Sequence, residues 1–199
     1  MTESDITRVS LLVRMRDPRD QQAWAEFVEI YSPLIYGFGR KNGLQDADAV
    51  DVTQEVLRIV ARSISHWNYD VRRGSFRGWL FTIVRNELKD WFAKQRSAWV
   101  GTGDSSALRQ LEEVATSDDK LSAVWELEHQ QRVFGWAAER VRDEVQASTW
   151  QAFWKTAVEN QPAAVVAAEL RMSVANVYVA KSRVMARMKE VIRHVEDVA

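Results

Sequence analysis

The chain contains no cysteine, which excludes disulfides, thiolate zinc sites and a thiol nucleophile. Proline and glycine are scarce, three and eight among 199 residues, so few positions interrupt long helices. The net charge is only −1, which argues against a simple basic DNA-coating protein. No apolar run approaches the roughly 20 residues of a membrane span. The opening stretch MTESDITRVS is too polar for a secretory signal. A cytoplasmic protein without membrane insertion is the expectation. Apolar residues make up 46% of the chain and include nine tryptophans, enough for a packed core.

The near-zero net charge hides segregation. Residues 66–96 hold seven Lys/Arg against three acids, and residues 171–193 hold six against Glu190 alone. Between them, residues 104–128 carry seven acids and two bases. Two basic patches separated by an acidic connector point to two contacts with one polyanion and a segment that avoids it.

Apolar positions recur at helical spacing along most of the chain, and no alternating strand or internal repeat stands out. The reading is all-α: two small helical domains joined by a flexible linker. The domains are expected over 1–96 and 121–199, with the turn-rich stretch 97–120 between them. Helices are expected over about 4–16, from Asp20 to Gly43 with Pro33 as a candidate kink, and over 46–65. Further helices are expected from 76 to 96, 121 to 145 (burying Val124, Leu127, Phe134, Ala138 and Val141), 148 to 159, 162 to 170 and 174 to 193.

Residues 74–96, GSFRGWLFTIVRNELKDWFAKQR, carry two chemistries on one helix. Leu80, Ile83, Val84 and Leu88 form a buried stripe. Arg73, Arg77, Arg85, Lys89, Lys94 and Arg96 surround it, interleaved with Trp79, Trp91 and Phe92. Cations hold phosphate without reading sequence, and aromatic faces stack on unpaired bases. Such a helix suits a strand whose bases have left the duplex.

Near the C-terminus, PAAVVAAELRMSVANVYVAKSRVMARMKEV has the layout of a helix-turn-helix. Pro162 suits the first turn, and Ser173 suits an N-cap for the second helix. Val165, Val166 and Leu170 are expected to face a core, as are Val174, Val177, Val184 and Met188. Asn176, Lys181, Arg183 and Arg187 remain outside, where Asn pairs with adenine and Arg with guanine in a major groove. The competing reading is a helical hairpin with a solvated basic face.

Asp48, Asp51, Gln54 and Glu55 lie three or four apart and share a helix face. With no histidine at ligand spacing, a metal site is disfavoured. The alternatives are a solvated face or a docking surface for a basic protein.

In order, the acidic helix DAVDVTQEVL, the helix GSFRGWLFTIVRNELKDWFAKQR and the C-terminal helix pair resemble the sigma-70 family of bacterial transcription initiation factors, extracytoplasmic-function (ECF) type. The resemblance covers about 20–96 and 121–193, and GSFRGWL…IVRN carries most of it. It implies a promoter-specificity subunit with no catalysis of its own and no cofactor, whose partners are core RNA polymerase, promoter DNA and, in many such proteins, an anti-sigma factor. Asp48, Asp51, Gln54 and Glu55 match the polymerase-docking surface. Trp67, Arg72, Arg73, Arg77, Asn86, Lys89 and Trp91 match the −10 interface, with Trp67 as a wall of the flipped-base pocket and Asn86 as its polar lining. Asn176, Tyr178, Lys181, Ser182, Arg183 and Arg187 match the exposed −35 positions.

The chain departs from the family pattern in places. Tyr178 and Ala180 stand where bases are common, Arg171 where the turn often has glycine, and Val50 where an acid is usual. A stand-alone helix-turn-helix regulator, binding duplex DNA as a dimer, is the alternative from another class. An enzyme finds no support: there is no nucleophile–base pair or Gly-rich phosphate loop.

Overall fold

A computed structural model describes residues 10–66, 75–99 and 118–195. Regular structure among them is helical: α1 (Leu11–Arg14), α2 (Gln21–Lys41), α3 (Asp46–Ser63), α4 (Phe76–Trp99), α5 (Asp118–Glu144), α6 (Ala147–Phe153), α7 (Ala163–Glu169) and α8 (Val174–Val195). A 3-10 turn, Ile64–His66, follows α3, and a π-helical turn, Trp154–Val158, follows α6. The described chain falls into two compact units, one from Val9 to Arg132 and one built from Val133 onward. The first unit thus takes in the early part of α5, a segment the sequence reading gives to the second domain.

In the first unit α2 begins at Asp20, whose carboxylate accepts from the Ala23 N–H at 2.8 Å. This bond satisfies a donor the first turn cannot. Arg14 forks onto the same carboxylate at 2.9 and 3.0 Å and reaches the buried Glu26 at 3.4 Å. That guanidinium holds the Asp20 carboxyl below its usual range. The core is the apolar stripe of α2 (Phe27, Ile30, Tyr31, Leu34, Phe38) against Val52, Val56 and Val60 of α3 and Phe76, Leu80, Val84 and Leu88 of α4. The expected stripes hold there, except that Ile59 and Ile83 are only half-buried.

Pro33 lies inside α2 without ending it. Proline has no N–H, so the carbonyl four residues earlier, that of Glu29, loses its helical donor. Arg132 of α5 supplies one: its guanidinium donates to the Glu29 carbonyl at 2.6 Å and to the Ile30 carbonyl at 3.0 Å. The same stretch of α5 buries Trp125, with ring centroids 5.2 Å from Phe38 and 5.9 Å from Phe81, and His129, 5.7 Å from Tyr31.

The expected inward face of α5 is therefore corrected. Val124, Leu127 and Phe134 are exposed, whereas Trp125, His129, Val133, Trp136, Ala137, Ala138 and Val141 are buried. The helix turns its large aromatic ring inward, because Trp has more apolar surface to bury than Val or Leu.

In the second unit Ala152, Val166, Ala167, Val177 and Ala180 form a core, with Ala163, Leu170 and Met172 packed on it. Small residues let α7 approach α8 closely. The stripe of α7 is 163, 166, 167 and 170, so Val165 falls off it and is exposed, contrary to the sequence expectation. Val174 also proves exposed, at the first position of α8.

The α7–α8 turn has a defined C-cap. Arg171 adopts φ 53°. The Met172 N–H donates to the Ala167 carbonyl at 3.0 Å, and the Arg171 N–H to the Ala168 carbonyl at 3.4 Å. This pair of bonds is the Schellman arrangement, in which a left-handed residue closes the helix. Ser173 then caps α8, its hydroxyl accepting from the Asn176 N–H at 3.1 Å. The two helices are bent by 103° at this break.

Candidate functional site

The first candidate surface lies on α3. Asp51 and Gln54 are exposed, Asp48 and Glu55 half-buried. Asp46 and Asp48 occupy the first turn, where their charge also favours the helix through its dipole. Glu55 pairs with Arg58. Val50 is exposed beside Asp51, so the surface mixes carboxylates with an apolar side chain.

Sequence reasoning missed the acids of α4 as neighbours of this surface. Glu87 is half-buried, and its carboxyl titrates above the usual range because of burial first, then the nearby charges of Asp90 and Glu55. No one-helix pattern could reveal this, since Glu55 and Glu87 come from different helices.

The second candidate surface is α4 and the loop before it. Trp67, Arg72 and Arg73 lie outside the described residues. Ser75 starts the helix, its hydroxyl accepting from the Gly78 N–H at 3.2 Å. Asn86 is exposed and Lys89, three residues on, half-buried, so the two share a side. Trp91 continues the line Leu80–Val84–Leu88 and is half-buried, its ring 5.0 Å from Phe92 in a T-shaped pair. It therefore sits on a different side of α4 from Asn86. Arg77 is bound within the unit, with its guanidinium 3.0 Å from the Glu126 carboxylate of α5.

The third surface is α8. Tyr178 is 61% and Val179 58% exposed. Tyr178 with Ser182, and Val179 with Arg183, stand four apart on the outer side, where i and i+4 are neighbours. Asn176 is exposed and Lys181 half-buried. Arg187 differs from the rest: it forks onto Glu144 at 2.5 and 3.0 Å and reaches Glu190 at 2.9 Å. These bonds raise its pKa further and tie it to α5. The outer side is more apolar than the basic count of 171–193 suggests, with Val174, Val179 and Met185 exposed beside Tyr178.

Among known proteins, the family model for sigma-70 region 2 matches residues 27–98, which contain α3 and most of α2 and α4. The ECF RNA polymerase sigma factor RpoE of Cereibacter sphaeroides is 35% identical over 88 residues. That match spans 44% of this chain and 48% of the relative, about half of its length. A solved structure titled "Structure of CnrH in complex with the cytosolic domain of CnrY" is similar at 18% identity over 92% of this chain and 94% of that chain, with a TM-score of 0.37. Over residues 27–98 the chain is thus similar to sigma-70 region 2, and over 88 residues to a sigma factor of the extracytoplasmic-function type.

Proposed function

We propose that the chain is a transcription initiation factor that binds core RNA polymerase and directs it to promoters, without catalysis of its own. The match of residues 27–98 to sigma-70 region 2 carries this reading. Within that stretch, α3 offers Asp48, Asp51, Gln54 and Glu55 to a basic surface of the polymerase. The segment 66–96 takes the −10 element as a melted strand. Trp67 and Asn86 form the pocket for an extruded base, and Arg72, Arg73, Arg77 and Lys89 hold phosphates with Trp91 nearby. Extruding a base costs a few kcal/mol. Stacking and hydrogen bonds to the correct base offset that cost, so melting and recognition become one step.

The second unit reads the −35 element as duplex. A bend of 103° between α7 and α8 falls in the helix-turn-helix range of about 90–120°, which supports this assignment. Asn176, Tyr178, Lys181, Ser182 and Arg183 are the candidate contacts, while Arg187, held by Glu144 and Glu190, braces the helix that carries them. The exposed apolar side chains beside Tyr178 suit thymine methyl groups. The setting is the cytoplasm, and an anti-sigma protein is a further partner such a factor would take.

The test is reconstitution. The full chain with purified core polymerase should start RNA synthesis at discrete sites on a genomic DNA library, and core polymerase alone should not. Tight specific duplex binding by the chain without polymerase, combined with no initiation, would favour a stand-alone regulator instead.

A further inference from the structure

We propose that the early part of α5 is a latch on the −10 interface: Glu126 occupies the guanidinium of Arg77, and a DNA phosphate must displace it. The inference rests on the reading of α4 as a DNA surface. Arg77 lies two residues past Ser75, in the first turn of α4, beside the segment 66–75 assigned to the melted strand. The Glu126 carboxylate is 3.0 Å from it and is also held by the Gln130 amide at 2.7 Å. A carboxylate and a phosphate make the same forked, charge-assisted contact with arginine, so the two are alternatives at one cation.

The latch is anchored away from Arg77. Trp125 and His129, on either side of Glu126 along the helix, are 2% and 1% exposed. Glu128 pairs with Lys41 of α2. Arg132 fills the donor gap that Pro33 leaves in α2. Apolar burial and the Arg132 bonds therefore hold the segment, while Glu126 supplies the competing charge. The side chains of Arg77 and Glu126 are 35% and 40% exposed, and a pair so accessible to water is weak. The contact thus tunes strand capture rather than blocking it.

The probe is a fluorescent mixed-sequence single-stranded DNA oligonucleotide, titrated into the full chain at low salt. Glu126→Gln should tighten binding by about two- to fivefold, the range expected for releasing an exposed ion pair. Glu139→Gln, the same charge change at an exposed residue, should have less effect. In an Arg77→Ala background, Glu126→Gln should lose its advantage. Unchanged affinity for Glu126→Gln, or a full effect that persists without Arg77, would each overturn the latch. If Arg77→Ala left strand binding by the polymerase-bound chain unaltered, the −10 role of Arg77 itself would be wrong, an outcome distinct from failure of the Glu126 arm alone.

Discussion

Arg132 donates to the Glu29 carbonyl at 2.6 Å, the carbonyl that Pro33 deprives of its helical partner. A proline that would otherwise weaken α2 becomes the receptor for a side chain about 100 positions away in sequence. The pairing explains why α2 continues through Pro33 and why the early part of α5 belongs to the first unit.

This relationship predicts a coupling. Arg132→Ala should destabilise the first unit by about 1 kcal/mol, since it leaves backbone acceptors short of a partner. In a Pro33→Ala background the N–H returns, and the same change should cost less. Denaturant unfolding of the four combinations measures the difference; additive effects would mean that Arg132 does not act through the proline gap.

Acid should weaken the fold through His129. Burial is the main cause that lowers its pKa from 6.5 to about 4, with the nearby Arg77 charge adding to it. The folded state therefore prefers the neutral ring, and the unfolded chain takes the proton first. The stabilisation is complete above pH 6.5 and is lost as the pH falls toward about 4, by about 3 kcal/mol in all for a shift of that size. His129→Phe should flatten the stability profile across this window; an unaltered slope would show that another group titrates there.

Arg171 holds a left-handed conformation at φ 53°, which costs a side-chain-bearing residue about 1 kcal/mol. Arg171→Gly should stabilise the second unit slightly and raise its unfolding midpoint, by at most about 0.5 kcal/mol once the entropic cost of glycine is subtracted. Thermal or denaturant unfolding gives the answer, and a lower midpoint would mean that the arginine makes compensating interactions.

Arg183 and Arg187 should behave differently although both match −35 positions. Arg183 is exposed, so Arg183→Ala should reduce the salt slope of duplex binding by about 0.9 log unit for each phosphate it no longer neutralises. Arg187 is tied to Glu144 and Glu190. We expect Arg187→Ala to act mainly on the stability of the second unit and to leave the slope nearly unchanged. Equal slope changes for the two variants would show that Arg187 leaves its carboxylates for DNA.

On α3, Asp51→Arg should abolish co-purification with core polymerase while the circular dichroism spectrum stays helical. Retained association would remove Asp51 from the docking surface.

Local pattern is enough to read α2, α3 and α4, whereas of the helix expected over about 4–16 the described residues hold only Leu11–Arg14. The stripes on α2, α3 and α4 repeat every three to four residues, and Asp20, Ser75 and Ser173 announce helix starts by their side-chain chemistry. The inward face of α5 is not legible, because Val124 and Leu127 compete with Trp125 and His129 for burial. Only the rings of Phe38 and Phe81 on other helices decide between them. Likewise Arg77, Arg187 and Glu87 look like independent surface charges in the sequence. Glu190 and Asp90 stand three residues from Arg187 and Glu87, within a spacing rule, but the cross-helix neighbours Glu126, Glu144 and Glu55 lie more than 30 residues away, beyond one. The pocket residue Trp67 falls outside the described residues, so its role stands on the resemblance.

The crowding of Glu55, Asp90 and the half-buried Glu87 has a thermodynamic consequence for whatever lies against α3. A cationic surface placed there would relieve the repulsion among these carboxylates and draw the Glu87 pKa back down. Association in mildly acidic buffer would then expel a proton, and the complex would loosen as the medium is acidified. Calorimetry of complex formation in buffers of different ionisation enthalpy would register that proton directly.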